Sequence, residues 1–267
     1  MDNLLKLPMD EGLSRRLTVA RTIARAVGRE VEALQAEARL DVSRKGFQDF
    51  VTVADRRSEE IIRTRLNEAF PDDGFIGEET GGEASGREFW VVDPIDGTSN
   101  YIRGLRHWAV SIAFVREGQI EIGCIYDSTS AQVYSAARGQ GAYREGHRIS
   151  IANRNSAAEG LAILGYSRRT GFDEYQAIAR KLYDLGMDYR RLGSAAVGLV
   201  RVANGVADLY YEGHLNCWDV MAGVLIAREA GAVVKMPPME TMLARGGSLV
   251  AYTPGLDPEL AFLGGDG

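Results

Sequence analysis

With 267 residues, 45% hydrophobic and 25% charged, the chain has the composition of an ordinary folded protein, large enough for one big core or two closely joined halves. The net charge of −6 argues against general nucleic-acid affinity, and the two cysteines, Cys124 and Cys217, match no metal-ligand spacing, which sets a zinc site aside. No apolar run is long enough to cross a bilayer, and residues 1–6 show no basic segment leading into an apolar one; a cytoplasmic protein with free buried thiols and no membrane or nucleic-acid partner is expected.

The first predicted element is a long amphipathic helix, because Leu13, Leu17, Ala20, Ala24, Val27, Val31 and Leu34 recur at spacings of three and four. Residues 44–55 read as a loop leading into a helix over 58–70, whose Ile62, Leu66 and Phe70 share a face. Asp55 stands at that helix's start, where capping is its simplest role. A turn at 71–74 precedes a brief strand that ends in Glu78 and Glu79, acids that ordinarily face solvent. The polar stretch 81–86 reads as a mobile loop.

The run 90–101, W-V-V-D-P-I-D-G-T-S-N-Y, is the most informative. Residues 89–92 are aromatic and β-branched without alternation, as in a strand covered on both faces, and Pro94 predicts that the ladder stops there. Asp93 and Asp96 flank that proline, so both carboxylates and the Ile95 carbonyl can converge on one small volume, a hard-oxygen set suited to magnesium. Gly97 lets backbone approach a ligand, and the amides of Gly97, Thr98 and Ser99 would open a helix or nest that attracts an anion. An Asx-rich turn with a helix cap accounts for the same residues equally well.

Farther along, 108–115 and 119–126 form a hairpin around Glu117 and Gly118, and 133–136 adds a strand before the glycine-rich turn at 138–143. Beyond residue 150 strand and helix alternate: strands at 161–164, 189–192, 207–211 and 233–235, helices at 172–185, 194–203 and 220–230. That pattern predicts parallel or mixed pairing. Hence residues 1–150 read as a helical and antiparallel half and 151–267 as an alternating half. Gly193, Ser194 and Ala195 precede a helix of small residues, where backbone can approach a ligand or another helix. Asp219 reads as a helix N-cap. The tail, 236–267, reads as loop with one strand at 248–252.

D-P-I-D-G-T-S-N-Y at 93–101, G-E-E at 77–79, C-W-D at 217–219 and K-x-x-x-D-x-V-T-x-x-D at 45–55 together resemble the inositol monophosphatase family of metal-dependent sugar phosphatases. The resemblance implies a layered αβαβα sandwich and a homodimer. It implies that Glu78, Asp93, Asp96, Asp219 and the Ile95 carbonyl hold two or three Mg2+ ions, with Glu78 also serving catalysis. By the same resemblance Asp55 and Thr98 activate the attacking water, Glu79 stands behind Glu78, and Lys45 is a loop residue near the site, although solvated surface charge suits Lys45 as well. Gly97, Thr98, Gly193, Ser194, Ala195, Glu212 and Asp219 would contact substrate, Glu212 by accepting from ring hydroxyls. The activity implied is hydrolysis of inositol monophosphate or a similar polyol phosphate by direct attack of ion-held water. The alternatives are a histidinol-phosphate phosphatase of the same family and a weakly catalytic regulatory binding protein. Bisphosphate substrates lack a visible basic pocket for their second phosphate.

Overall fold

The structure is a computed structural model that describes residues 9–36, 42–44, 50–82 and 87–263. In chain order the elements are α1 (Glu11–Ala36), β1 (Val42–Arg44), β2 (Phe50–Thr52), α2 (Val53–Ala69), β3 (Gly74–Gly77), β4 (Glu88–Asp96), α3 (Thr98–Ile102), β5 (Ala109–Arg116), β6 (Gln119–Asp127), β7 (Gln132–Ala137), β8 (Gly141–Arg144) and β9 (His147–Ile149). There follow β10 (Leu161–Leu164), α4 (Phe172–Asp184), β11 (Asp188–Arg190), α5 (Ala195–Ala203), β12 (Leu209–Leu215), α6 (Cys217–Ala230), β13 (Val233–Lys235), α7 (Met239–Arg245) and β14 (Gly247–Tyr252).

Strands β3 to β9 pair in sequence order as a seven-stranded sheet, antiparallel except for the parallel β3–β4 pair, which departs from the expected all-antiparallel half. The β5–β6 turn places Glu117 and Gly118 at φ 51° and 72°, the positive values a primed hairpin turn requires. The second sheet runs β11-β10-β12-β14-β13; β10 is parallel to β11 and β12, while β14 is antiparallel to β12 and β13. Mixed pairing there agrees with the alternating pattern.

Side-chain alternation along β4 shows how the layers arise. Trp90, Val92 and Ile95 pack with α1 and α2, whereas Phe89 and Val91 point the other way, into a core built with α5 and α6. That second core also takes Ile163, Tyr210 and Ala251 from the other sheet, so α5 and α6 are filling between two sheets. Their sequences are apolar nearly all round, as a helix covered on every side must be. The opposite face of the five-stranded sheet, with Ala162, Leu164 and Val250, is covered by Leu182 of α4 and by Leu256, Leu260 and Leu263. The result is the αβαβα sandwich. Each large side chain removed from water in these cores contributes about 1.5–3 kcal/mol before chain entropy is set against it. Cys124 and Cys217 are buried and free, and burial pushes both thiols up to about 12.

Several boundaries differ from expectation. Helix α2 begins at Val53, not 58, which puts Asp55 inside its first turn, not at its cap. Backbone pairing of β1 with β2 replaces part of the expected loop at 44–55. Strand β4 does not stop at Pro94: pairing slips from Asp93–Ser111 to Asp96–Ala109, and the bulge absorbs a proline that has no N–H to give. Helix α6 starts at Cys217, with Asn216 as its cap. The tail, expected as loop, contains α7, and its strand β14 lies inside the second sheet with neighbours on both sides.

Candidate metal and phosphate site

The bulge at the end of β4 sets the first two acids. Asp93 and Asp96 are 1% and 8% exposed, far below what carboxylates normally tolerate. Asp93 Oδ1 accepts from the Ile95 amide at 2.9 Å, and the Ile95 carbonyl accepts from Thr98 Oγ1 at 2.9 Å, so the turn is closed by its own side chains. Gly97 sits at φ 94°, and a Cβ there would lie 2.8 Å from the His107 carbonyl oxygen, so only glycine fits between this turn and its neighbours.

The third acid comes from the middle layer. Asp219 occupies the third position of α6, in a capping box: its Oδ2 accepts from the Asn216 amide at 2.6 Å. This corrects its expected place as the cap itself. One carboxylate oxygen from each of Asp93, Asp96 and Asp219 lies within 4.8 Å of the others. Glu78, in the turn after β3, is hydrogen-bonded to Asp93 and feels the charges of Asp219 and Asp55. Glu59 of α2, fully buried, holds that turn: Oε2 accepts from the Glu79 amide and Oε1 from the Thr80 amide, each at 2.8 Å. A Cβ on Gly77 would lie 2.5 Å from the Glu59 carboxyl, so the two are packed in direct contact. Glu79 turns toward Arg56, with 3.8 Å between charged atoms.

Electrostatics test whether a cation suits this cluster. Burial, then the charges of Asp219 and Asp55, raises Glu78 well above the carboxylate range; burial, then Glu78 and Asp96, does so for Asp93; burial, then Asp96, for Asp219. Asp96 is pushed up to about 6 by burial, although the Ser194 hydroxyl and the Ala196 and Ala195 amides pull it down. Four acids that cannot all ionise side by side become stable together once divalent positive charge stands among them. Their oxygens are hard donors, and the set fits magnesium, with Glu78, Asp93, Asp96, Asp219 and the Ile95 carbonyl as the residues that would hold it.

Thr98 Oγ1 is 3.4 Å from Asp55 Oδ1, and Asp55 is 1% exposed. Ser194 caps α5, and its Oγ donates to Asp96 Oδ2 at 2.5 Å while the Ala196 amide donates to the same atom at 2.6 Å. The small-residue segment thus spends donors on a carboxylate. Asn100 Nδ2 donates to the carbonyls of His107 at 2.7 Å and Leu192 at 2.8 Å, which ties Gly193 to the β4 turn. Lys45 lies outside the described residues, as do 83–86 of the expected loop.

A cleft of about 690 Å³ opens above the acids and is lined by Asp96, Gly193, Ser194, Ala195, Glu212 and Asp219. Glu212 Oε2 accepts from the Tyr210 hydroxyl at 2.7 Å, and burial raises its carboxyl to about 7 against the pull of that hydroxyl. The cleft also has Arg103, Arg168, Arg169 and Arg191 on its walls, which corrects the expectation that no basic pocket exists. Those arginines come from three separate segments, after α3, between β10 and α4, and after β11, so no single charge run announced them. Glu59 was equally silent, reading as one more acid on a helix surface.

Known proteins resemble this chain along most of its length. The family model described as the inositol monophosphatase family matches residues 13–261. An inositol-1-monophosphatase of Mesorhizobium japonicum is 39% identical over 245 residues, 88% of this chain and 87% of the relative. A Nus factor SuhB of Xylella fastidiosa is 37% identical over 217 residues, 80% of this chain and 78% of the relative. Among solved structures, an extragenic suppressor protein suhB from Bartonella henselae superposes with a TM-score of 0.87 at 31% identity, covering 94% of this chain and 99% of that one.

Proposed function

The chain belongs to the inositol monophosphatase family, and from that premise we propose that it is a magnesium-dependent phosphate monoester hydrolase acting on inositol monophosphate or a similar polyol phosphate. The observation that supports this most is the convergence of Glu78, Asp93, Asp96 and Asp219, from three separate stretches of chain, on one buried place beneath an open cleft. Residues 1–150 contribute the first three and the phosphate turn, and 151–267 contribute Asp219 and the substrate contacts.

Two or three magnesium ions bound there would neutralise the acids and supply positive charge to the attacking water and the leaving oxygen. The protein's own groups do the rest. A water hydrogen-bonded to Thr98 Oγ1 can pass its proton through that hydroxyl to Asp55, 3.4 Å away, once the hydroxyl turns from the Ile95 carbonyl it donates to at 2.9 Å, which ties Asp55 and Thr98 to activation. The amides of Gly97 and Thr98, at the start of α3, would donate to the phosphoryl oxygens as charge spreads over them. Glu212, fixed by Tyr210, accepts from a hydroxyl of the polyol. No phosphoenzyme forms, since the attacking oxygen belongs to water. Phosphate release from inositol 1-phosphate and histidinol phosphate, with and without magnesium, tests the reading; release that ignores magnesium would overturn it, and a preference for histidinol phosphate would move the chain to that substrate.

The name carried by the Xylella relative favours a second reading, in which the chain shares a Nus-factor role and binds more than it catalyses. Asp96→Asn separates the two: it removes turnover under the first reading and leaves a binding role intact under the second. The proposal includes a homodimer in the cytoplasm, with sedimentation velocity as the check on the dimer; among the described residues no helix is long and apolar enough to cross a membrane.

A further inference from the structure

Residues two apart on a strand share a face, and on β12 this sets Tyr210 and Glu212 together on the side of α5 and the cleft. Tyr211, between them, turns the other way and donates through its hydroxyl to Glu174 of α4 at 2.8 Å. Tyr210 is 1% exposed, and its hydroxyl donates to Glu212 Oε2 at 2.7 Å. Gly165, just past β10, lies alongside, its amide donating to the Tyr211 carbonyl at 2.8 Å. A Cβ on Gly165 would run into Glu212 Oε2 and Cδ, so the carboxyl rests on bare backbone. Oε2 is thereby taken up by the protein. Oε1 accepts from no protein group among the described residues and is left for a ligand in the cleft that Glu212 lines.

The Tyr210 ring is fixed from behind. A Cβ on Gly198 would lie 2.5 Å from its Cδ2 and Cε2, so the ring sits against the backbone of α5. Four residues earlier, Ser194 caps the same helix and donates to Asp96 Oδ2. One buried helix thus sets two distances: it holds Asp96 at its cap and, one turn on, holds Glu212 through Tyr210. A polyol phosphate with its phosphate above the acids and a hydroxyl at Glu212 would span that interval.

We propose that Tyr210 is a positioning residue for substrate recognition: with Gly165 beneath, its hydroxyl holds Glu212 in the orientation that presents Oε1 to a hydroxyl of the polyol, at a set distance from Asp96. This rests on the hydrolase reading of the acidic floor. Specificity is then set by a tyrosine and a glycine that touch no substrate, as well as by the acid that does.

The test is a double-mutant cycle in the full chain, with inositol 1-phosphate and saturating magnesium. Tyr210→Phe removes one hydrogen bond to a carboxylate and should lower kcat/KM by about fivefold or more, chiefly through KM. In the Glu212→Ala background the same substitution should change KM by less than about twofold, because no carboxylate remains to be oriented. Gly165→Ala, which pushes the carboxyl off its seat, should likewise raise KM severalfold beside Glu212 and far less beside Glu212→Ala; should that variant not fold, the Tyr210 cycle decides alone. A tyrosine that only packs predicts equal factors in both backgrounds. Equal factors, or an unchanged KM in Tyr210→Phe, overturn the positioning role and spare the hydrolase. Absence of magnesium-dependent release from inositol 1-phosphate and every other phosphate ester overturns both.

Discussion

The two sheets serve the cleft in different ways. The seven-stranded sheet delivers Asp93 and Asp96 from the end of a strand buried on both faces, each carboxylate bonded to nearby backbone. From the five-stranded sheet and its loops come Glu212, His214 and Arg191, at positions that are half-buried or exposed. Asp93 and Asp96 are thus seated in a closely packed strand end, and recognition falls where side chains can change without disturbing a core. Substitutions in the first region should abolish activity, and those in the second should redirect it.

The largest effect expected is that of Asp96→Asn. An amide keeps an acceptor for Ser194 and Ala196 but removes a charge from the cation site, so magnesium-dependent phosphate release should fall by about a thousandfold or more while the melting temperature of the metal-free protein holds or rises. Unchanged turnover would break the assignment of the strand end to chemistry. Next, Glu212→Ala should raise KM for inositol 1-phosphate by about tenfold or more and leave KM for a small phosphate ester without hydroxyls far less affected. Equal changes would return Glu212 to a packing role.

A smaller effect sharpens the comparison from inside the first region. Glu59→Gln converts one of two amide acceptors into a donor facing an amide, at a cost of about 1–3 kcal/mol, which urea unfolding would register. The turn carrying Glu78 should loosen, so the magnesium needed for half-maximal activity should rise severalfold with kcat at saturation nearly kept. A loss confined to kcat would contradict this positioning role.

The smallest effect is on stability against pH without metal. Asp96, raised to about 6, and Glu212, raised to about 7, hold protons more tightly folded than unfolded. The stability they contribute is fully present below the unfolded carboxylate range, near pH 4, and is lost as pH rises through about 7. The melting temperature should therefore decline over that interval, Glu212→Gln should flatten its upper part, and magnesium should restore stability at neutral pH. A rise in melting temperature across the same range would contradict the burial of these acids.

What the sequence disclosed follows the same division. The acids of the strand end lie within four consecutive residues, and local geometry alone made them converge, so Asp93, the Ile95 carbonyl and Asp96 were legible as one unit. Asp219 and Glu78 were legible only by resemblance, because their approach depends on how the layers stack. Pro94 misled, since a bulge can hide a missing N–H that a regular ladder cannot. Asp219 was misplaced by three residues because Asn and Asp both suit a helix start, and a capping box uses both. Helix α7 escaped because it is short and follows Pro237 and Pro238. Glu59 and Arg169 could not have been found: each acts through partners about twenty or more positions away, Glu59 on the amides of Glu79 and Thr80 and Arg169 on His214 and Asn216.

Helix α6 carries a last consequence. It starts at the site with Asp219 and runs on as the filling between the two sheets, bonded into the first through the Trp218 carbonyl, which accepts from Ser111 at 3.2 Å. A ribosome that has released only the first 150 residues has made three of the four acids, yet one face of their sheet still lacks its cover. Ion affinity would thus arrive late in synthesis, once residues near 230 have emerged, and a nascent chain stalled earlier should compete poorly for cellular magnesium.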